Sequence, residues 1–132
     1  MLRNLFLFSC FSLIFIFTMN AQVPQSMTGN WEGLVNEGER SSPYHVKLDV
    51  EVVKKGEVAG KIWYRAYNCG GTLTYLGINE NGIHFFKENL TTKGDCIQGG
   101  IIAAHMVDGK FGFIWSHEDY SHQAKGLLYR PL

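Results

Sequence analysis

The chain has 132 residues, with 12 basic and 12 acidic side chains, a formal charge of zero, and a composition that is 45% hydrophobic and 14% aromatic. That length supports one modest core and no more. Balanced charge, with no basic stripe and no alternation of aromatic and basic residues, argues against nucleic acid as a partner.

Arg3 precedes an apolar run from Leu5 to Met19, and the small residue Ala21 follows. A charged start, an apolar stretch and a small residue in that order predict a secretory signal over 1–21 and one domain over 22–132. The run falls short of the roughly 20 apolar residues a spanning helix needs, so the expected membrane contact is through the cleaved signal alone. Leu7-Phe8-Ser9-Cys10 loosely resembles a lipoprotein acceptor box, but the apolar run continues well past Cys10. The expected destination is therefore secreted or periplasmic. Loss of the leader removes Arg3 and Cys10, leaving a charge of about −1 and one cysteine pair, Cys69 and Cys96, in a compartment where disulfides persist.

Gln22 to Met27 carries Pro24 and little apolar content, which makes it a short leader into the fold. After it the chain alternates with period two between turns, and no stretch has a helical period long enough for a core helix. Asn30 to Asn36 is the first predicted strand. Tyr44 to Lys54 is the second, with Tyr44, Val46, Leu48, Val50 and Val52 on one face. Lys55-Gly56 turns into a third, Glu57 to Arg65, where Val58, Gly60, Ile62 and Tyr64 share a face and Gly60 marks a bend or a close backbone approach. Gly71 to Ile78, Ile83 to Asn89 and Cys96 to Val107 follow. Asp108-Gly109 is the strongest hairpin signal, leading into Lys110 to Ser116, and Ala124 to Arg130 is the eighth strand.

Eight consecutive antiparallel strands predict an all-β, eight-stranded antiparallel up-and-down barrel, whose closure removes exposed edges; a two-sheet sandwich is the alternative. Alternate connections of such a barrel share an end. The second, fourth and sixth read as tight turns, and the first, third, fifth and seventh as longer loops that surround a mouth. Cys69 and Cys96 both fall at the mouth end, so topology and cysteine count agree on a Cys69–Cys96 disulfide.

Met27-Thr28-Gly29-Asn30-Trp31 resembles the Thr-Gly-x-Trp entry strand of avidins and the Gly-x-Trp of lipocalins and other calycins. Asp108-Gly109 before Phe111-Gly112-Phe113-Ile114-Trp115 is also avidin-like. The resemblance implies a barrel that binds a small hydrophobic or heterocyclic ligand at an open mouth. It does not carry biotin: avidins place Asn and Ser two and six residues after that tryptophan, where this chain has Gly33 and Glu37.

Tyr44, Tyr64, Tyr75, Phe111, Phe113 and Trp115 fall on the interior face, as core or as ligand wall, whereas Trp63, Phe86, Ile114, Leu127 and Tyr129 fall outside, where they offer a protein partner an apolar face. Trp115 and Tyr67, nearest the mouth, are the expected ligand wall. Ser116 to Gln123 is the densest polar stretch, and its His117, Asp119 and His122 are the expected polar contacts at the rim. Imidazole and carboxylate suit zinc or copper, but the spacing matches no established site, so no metal or cofactor is assigned and a solvated loop is the plainer reading. His117, Asp119 and Ser121 name the parts of a hydrolase triad without a strained nucleophile turn anywhere, so no catalytic residues are assigned. The expectation is a non-enzymatic exported binder of a small ligand; the alternative is a protein-interaction module or inhibitor acting through the same loops or the outward apolar face.

Overall fold

The computed structural model describes residues 21–38, 42–92, 94, 96 and 99–132. The signal expected over 1–21 lies outside them apart from Ala21, as do parts of the first and fifth connections. Eight strands, β1 (Gly29–Asn36), β2 (Tyr44–Val50), β3 (Val58–Tyr64), β4 (Cys69–Ile78), β5 (His84–Thr92), β6 (Ile101–Val107), β7 (Lys110–Ser116) and β8 (Ala124–Leu128), pair in sequence order, and β1 meets β8 to close a barrel. Every neighbouring pair is antiparallel. The up-and-down barrel, rather than the sandwich, is the architecture.

The alternation that defines β2 works as expected: Tyr44, Val46, Leu48 and Val50 are buried. Trp31, opposite Leu48, and Ile62, on its other side, extend that inward row around the wall. Asp108 and Gly109 have φ of 50° and 77°, the two positive values a tight hairpin turn between β6 and β7 requires.

Three positions point the other way from their sequence pattern, each for a local backbone reason. Val52 was expected inside but is 44% exposed, because β2 leaves the sheet after Val50 and residues 51–57 form a longer connection than the two-residue turn expected. Val58 is also exposed, and Ala59 is buried in its place, because the β3–β4 register shifts between Val58 and Gly60. Gly60 lies so close to β2 that a Cβ there would sit 1.7 Å from the Asp49 carbonyl oxygen, the close approach its glycine signals. Phe86, expected outside, is fully buried opposite Tyr75, with ring centroids 5.4 Å apart. A register shift between Tyr75 and Gly77 accompanies that pairing. Trp63, Leu127 and Tyr129 do face outward.

The segment before β1 is part of the core. Val23 and Met27 are fully buried, a single 3-10 turn spans Gln25–Met27, and Val23 donates its N–H to the Val53 carbonyl. Trp31 Nε1 donates to the Met27 carbonyl at 2.9 Å, and the Arg130 guanidinium lies over the Trp31 ring, 3.9 Å from its centroid. Arg130 also donates to the carbonyls of Ser26 and Thr28. This end of the barrel is thus shut by apolar packing, a cation–π contact and satisfied backbone groups.

Candidate functional site

At the opposite end, Glu37 beyond β1, Tyr67 between β3 and β4, and Cys96 between β5 and β6 line one cavity of about 230 Å³, together with Tyr44, Tyr64, Glu88, Leu90 and Trp115. His122, between β7 and β8, approaches Glu37 with its Nε2 3.5 Å from Oε2. Residues from all four alternate connections therefore meet at one mouth. Cys69 and Cys96 form a disulfide there, with Cα atoms 6.3 Å apart.

The inner wall of the cavity is built on Glu88. Strand β5 alternates, with His84, Phe86, Glu88 and Leu90 inward, so the carboxyl goes into the barrel with its apolar neighbours and is only 2% exposed. Tyr64, from β3, donates its hydroxyl to Glu88 Oε2, and Trp115, from β7, donates its indole N–H to Oε1 at 3.1 Å. Gly100 makes that second bond possible: it accepts the Glu88 backbone N–H, and a Cβ on it would lie 1.8 Å from Trp115 Nε1. Burial pushes the Glu88 carboxyl up from its ordinary range, against the two hydrogen bonds and the Lys87 charge that favour its ionised form. Burial, then Glu88 itself, pushes the Tyr64 hydroxyl up.

Tyrosines and the rim carry the site outward. Tyr44 donates to Glu37 Oε1 at 3.1 Å, and burial followed by the Glu37 charge holds its hydroxyl well above the usual range. Its ring packs on Tyr64 and, edge to face, on Tyr67 at 5.1 Å. Across the mouth, Trp115 contacts His117 and His122 with centroid distances of 5.1 and 6.1 Å.

Of the residues expected at the site, Tyr67 and Trp115 line the cavity. His117 and His122 pack on the indole behind it, and His122 reaches the cavity wall through Glu37. Asp119 is exposed and turned into its own loop, where it accepts the Ser121 hydroxyl and backbone N–H; those bonds lower its carboxyl. It lines a separate shallow surface depression with Gly99, His117, Glu118 and Ser121. Among the described residues, no three His, Cys, Asp or Glu side chains converge as metal ligands.

Glu88 is the functional candidate that reading the sequence missed; Glu37 falls in the first of the long connections expected around the mouth but was not singled out as a contact. The signal for Glu88 was present: it shares parity with His84, Phe86 and Leu90, and turning Phe86 inward brings the carboxyl with it. For Glu37 the loop position gave the end of the barrel, but its partners could not be read from near neighbours, because they come from β2 and the seventh connection.

The chain matches no protein-family model, no curated protein and no solved structure.

Proposed function

We propose that this protein is an exported, non-enzymatic binder of a small molecule, a calycin-type barrel that takes its ligand at the open mouth. The observation that carries this reading is the cavity itself: a recess of about 230 Å³ walled by Tyr44, Tyr64, Tyr67, Leu90 and Trp115 with a single buried carboxyl among them. A largely preformed recess with a few convergent polar groups is the usual anatomy of a ligand site, and this volume falls just below the usual range of about 300–1,000 Å³, which points to a compact ligand. The opposite end is packed shut. Export agrees with the leader-like Arg3 and Leu5–Met19 pattern and with the Cys69–Cys96 bond, which is compatible with an oxidising location.

The polar loop supports a binding role better than a hydrolytic one. The Asp119 carboxylate is satisfied by Ser121 rather than by an imidazole, so the carboxylate–imidazole–hydroxyl order of a triad is not assembled. Native mass spectrometry of the purified protein is the test. A co-purified small molecule that is lost in Trp115→Ala supports the reading. A co-purified protein that remains bound to Trp115→Ala favours an interaction module working through exposed Leu34, Trp63, Leu127 and Tyr129 instead.

A further inference from the structure

Donors and acceptors in the cavity are unevenly distributed. Tyr64 and Trp115 direct their donors at the two Glu88 oxygens, and Tyr44 directs its hydroxyl at Glu37. Three of the donors in the wall are thus committed within the protein. What faces the cavity is the remaining lone-pair capacity of two carboxyls and two phenolic oxygens, together with the Tyr67 hydroxyl at the outer edge. Among the described residues lining it there is no lysine or arginine. Lys87 points elsewhere, to Glu118 and the Gly99 carbonyl, so among the described residues no lysine or arginine reaches Glu88 from within the site.

An ionised carboxylate in such a place is costly unless a positive charge joins it. Aromatic rings on several sides add to the preference, because their faces attract a desolvated cation. Four rings, those of Tyr44, Tyr64, Tyr67 and Trp115, border the same space. We infer that the ligand is a small ammonium compound, a primary or secondary amine on a compact apolar body, with its nitrogen at Glu88 and its body against the Tyr44, Tyr67 and Trp115 rings. This rests on the mouth-site reading above and adds the ligand's charge and donor chemistry to it. Glu37, held by Tyr44 and His122, supplies a second negative group at the entrance that favours a cation over an anion.

The test uses three probes of nearly equal shape, 2-phenylethylamine, 2-phenylethanol and phenylacetate, titrated at neutral pH. Tryptophan fluorescence reports affinity, and backbone amide NMR shifts report location. The amine is expected to bind with shifts centred on Tyr67, Glu88 and Trp115, the alcohol to bind at least about ten-fold more weakly, and the acid not to saturate. Glu88→Gln is expected to weaken the amine by about ten-fold or more and to leave the alcohol within about two-fold. An alcohol or acid that binds as tightly as the amine overturns the inference, as does full amine affinity in Glu88→Gln. No binding of any probe up to about 10 mM overturns it too. The three-probe comparison on the unaltered protein decides the charge question even where Glu88→Gln fails to fold. If the alcohol wins with its shifts at the mouth, only the ammonium assignment fails. If every shift lies away from Tyr44, Tyr67 and Trp115, the mouth-site reading fails with it.

Discussion

Replacing Cys69 and Cys96 together with alanine isolates what the disulfide contributes. The bond joins residues 27 apart, and the chain-entropy model gives about 3.5 kcal/mol at 25 °C for a closed loop of that length. Unfolding entropy of roughly 2.1 cal/mol/K per residue, over the residues from 22 onward, converts that into a fall in Tm of roughly 15 °C. Cys69 is fully buried, so loss of its sulfur adds a cavity effect of the same sign. Circular-dichroism melts of the oxidised protein, the reduced protein and the double variant should place the last two close together and well below the first. A fall of less than about 5 °C in both would refute the loop-closure reasoning, because entropy lost from the unfolded chain does not depend on how the folded mouth relaxes. Since Cys96 also lines the cavity, reduction is expected to weaken whatever binds there.

Trp115→Ala removes a buried indole and the donor to Glu88 Oε1, and is expected to cost about 3–5 kcal/mol in a urea melt. His117→Ala, on the solvent side of that indole, is expected to stay within about 0.5 kcal/mol; equal losses in the two variants would contradict the packing described. Gly100→Ala drives a methyl into Trp115 Nε1, so a loss of about 1–3 kcal/mol together with altered tryptophan emission is expected. Glu88→Gln should change how stability depends on pH. Its folded carboxyl is raised by burial, so the wild type binds more protons folded than unfolded in this range. The stabilisation from protonated Glu88 is therefore complete below the ordinary carboxylate range and is lost as pH rises through the raised folded value. The groups bearing on it are Tyr64 and Tyr44 from β3 and β2, Trp115 from β7 and Lys87 on its own strand. The Tm difference between wild type and Glu88→Gln is expected to move against the wild type as pH rises through that window, and a constant difference would show that Glu88 titrates normally.

Much of this fold could be read from the chain because it rests on local rules. Alternation in Tyr44–Val50 and Lys110–Ser116, the turn at Asp108-Gly109 and the even cysteine pair each needed only near neighbours in sequence. Errors of face arose where the phase of that alternation changes. The shift between Val58 and Gly60 turned Val58 outward, and the chain's departure from the sheet after Val50 did the same to Val52. Phe86 was expected on the wrong face, and Glu88, which shares its strand parity, follows it inward although a charged residue is ordinarily found in solvent. The contrast in loop length that located the mouth is weaker than the sequence suggests, because 51–57 is no tight turn. The mouth is where it was expected because strand order alone decides which connections share an end.

Stability and polarity are distributed unequally along the barrel axis, and that inequality argues for where function lies. The closed end is held by Val23, Met27, Trp31 and Phe111, with Arg130 laid over Trp31. The mouth instead buries a carboxyl that desolvation pushes up, against the hydrogen bonds from Tyr64 and Trp115 that favour its ionised form. Position 88 pairs with Leu73, and its inward neighbours are Phe86 and Leu90, so an aliphatic side chain there would extend an apolar layer already present on both sides. The carboxyl accepts the Tyr64 hydroxyl and the Trp115 indole N–H, two buried donors that an aliphatic side chain would leave unpaired. Perturbed, buried titratable groups in a recess concentrate at functional sites, and locally unfavourable choices are expected where binding is served rather than folding. Glu88 meets both conditions, while the disulfide beside it and the packed far end supply the rigidity that lets the mouth hold an unfavourable group in place.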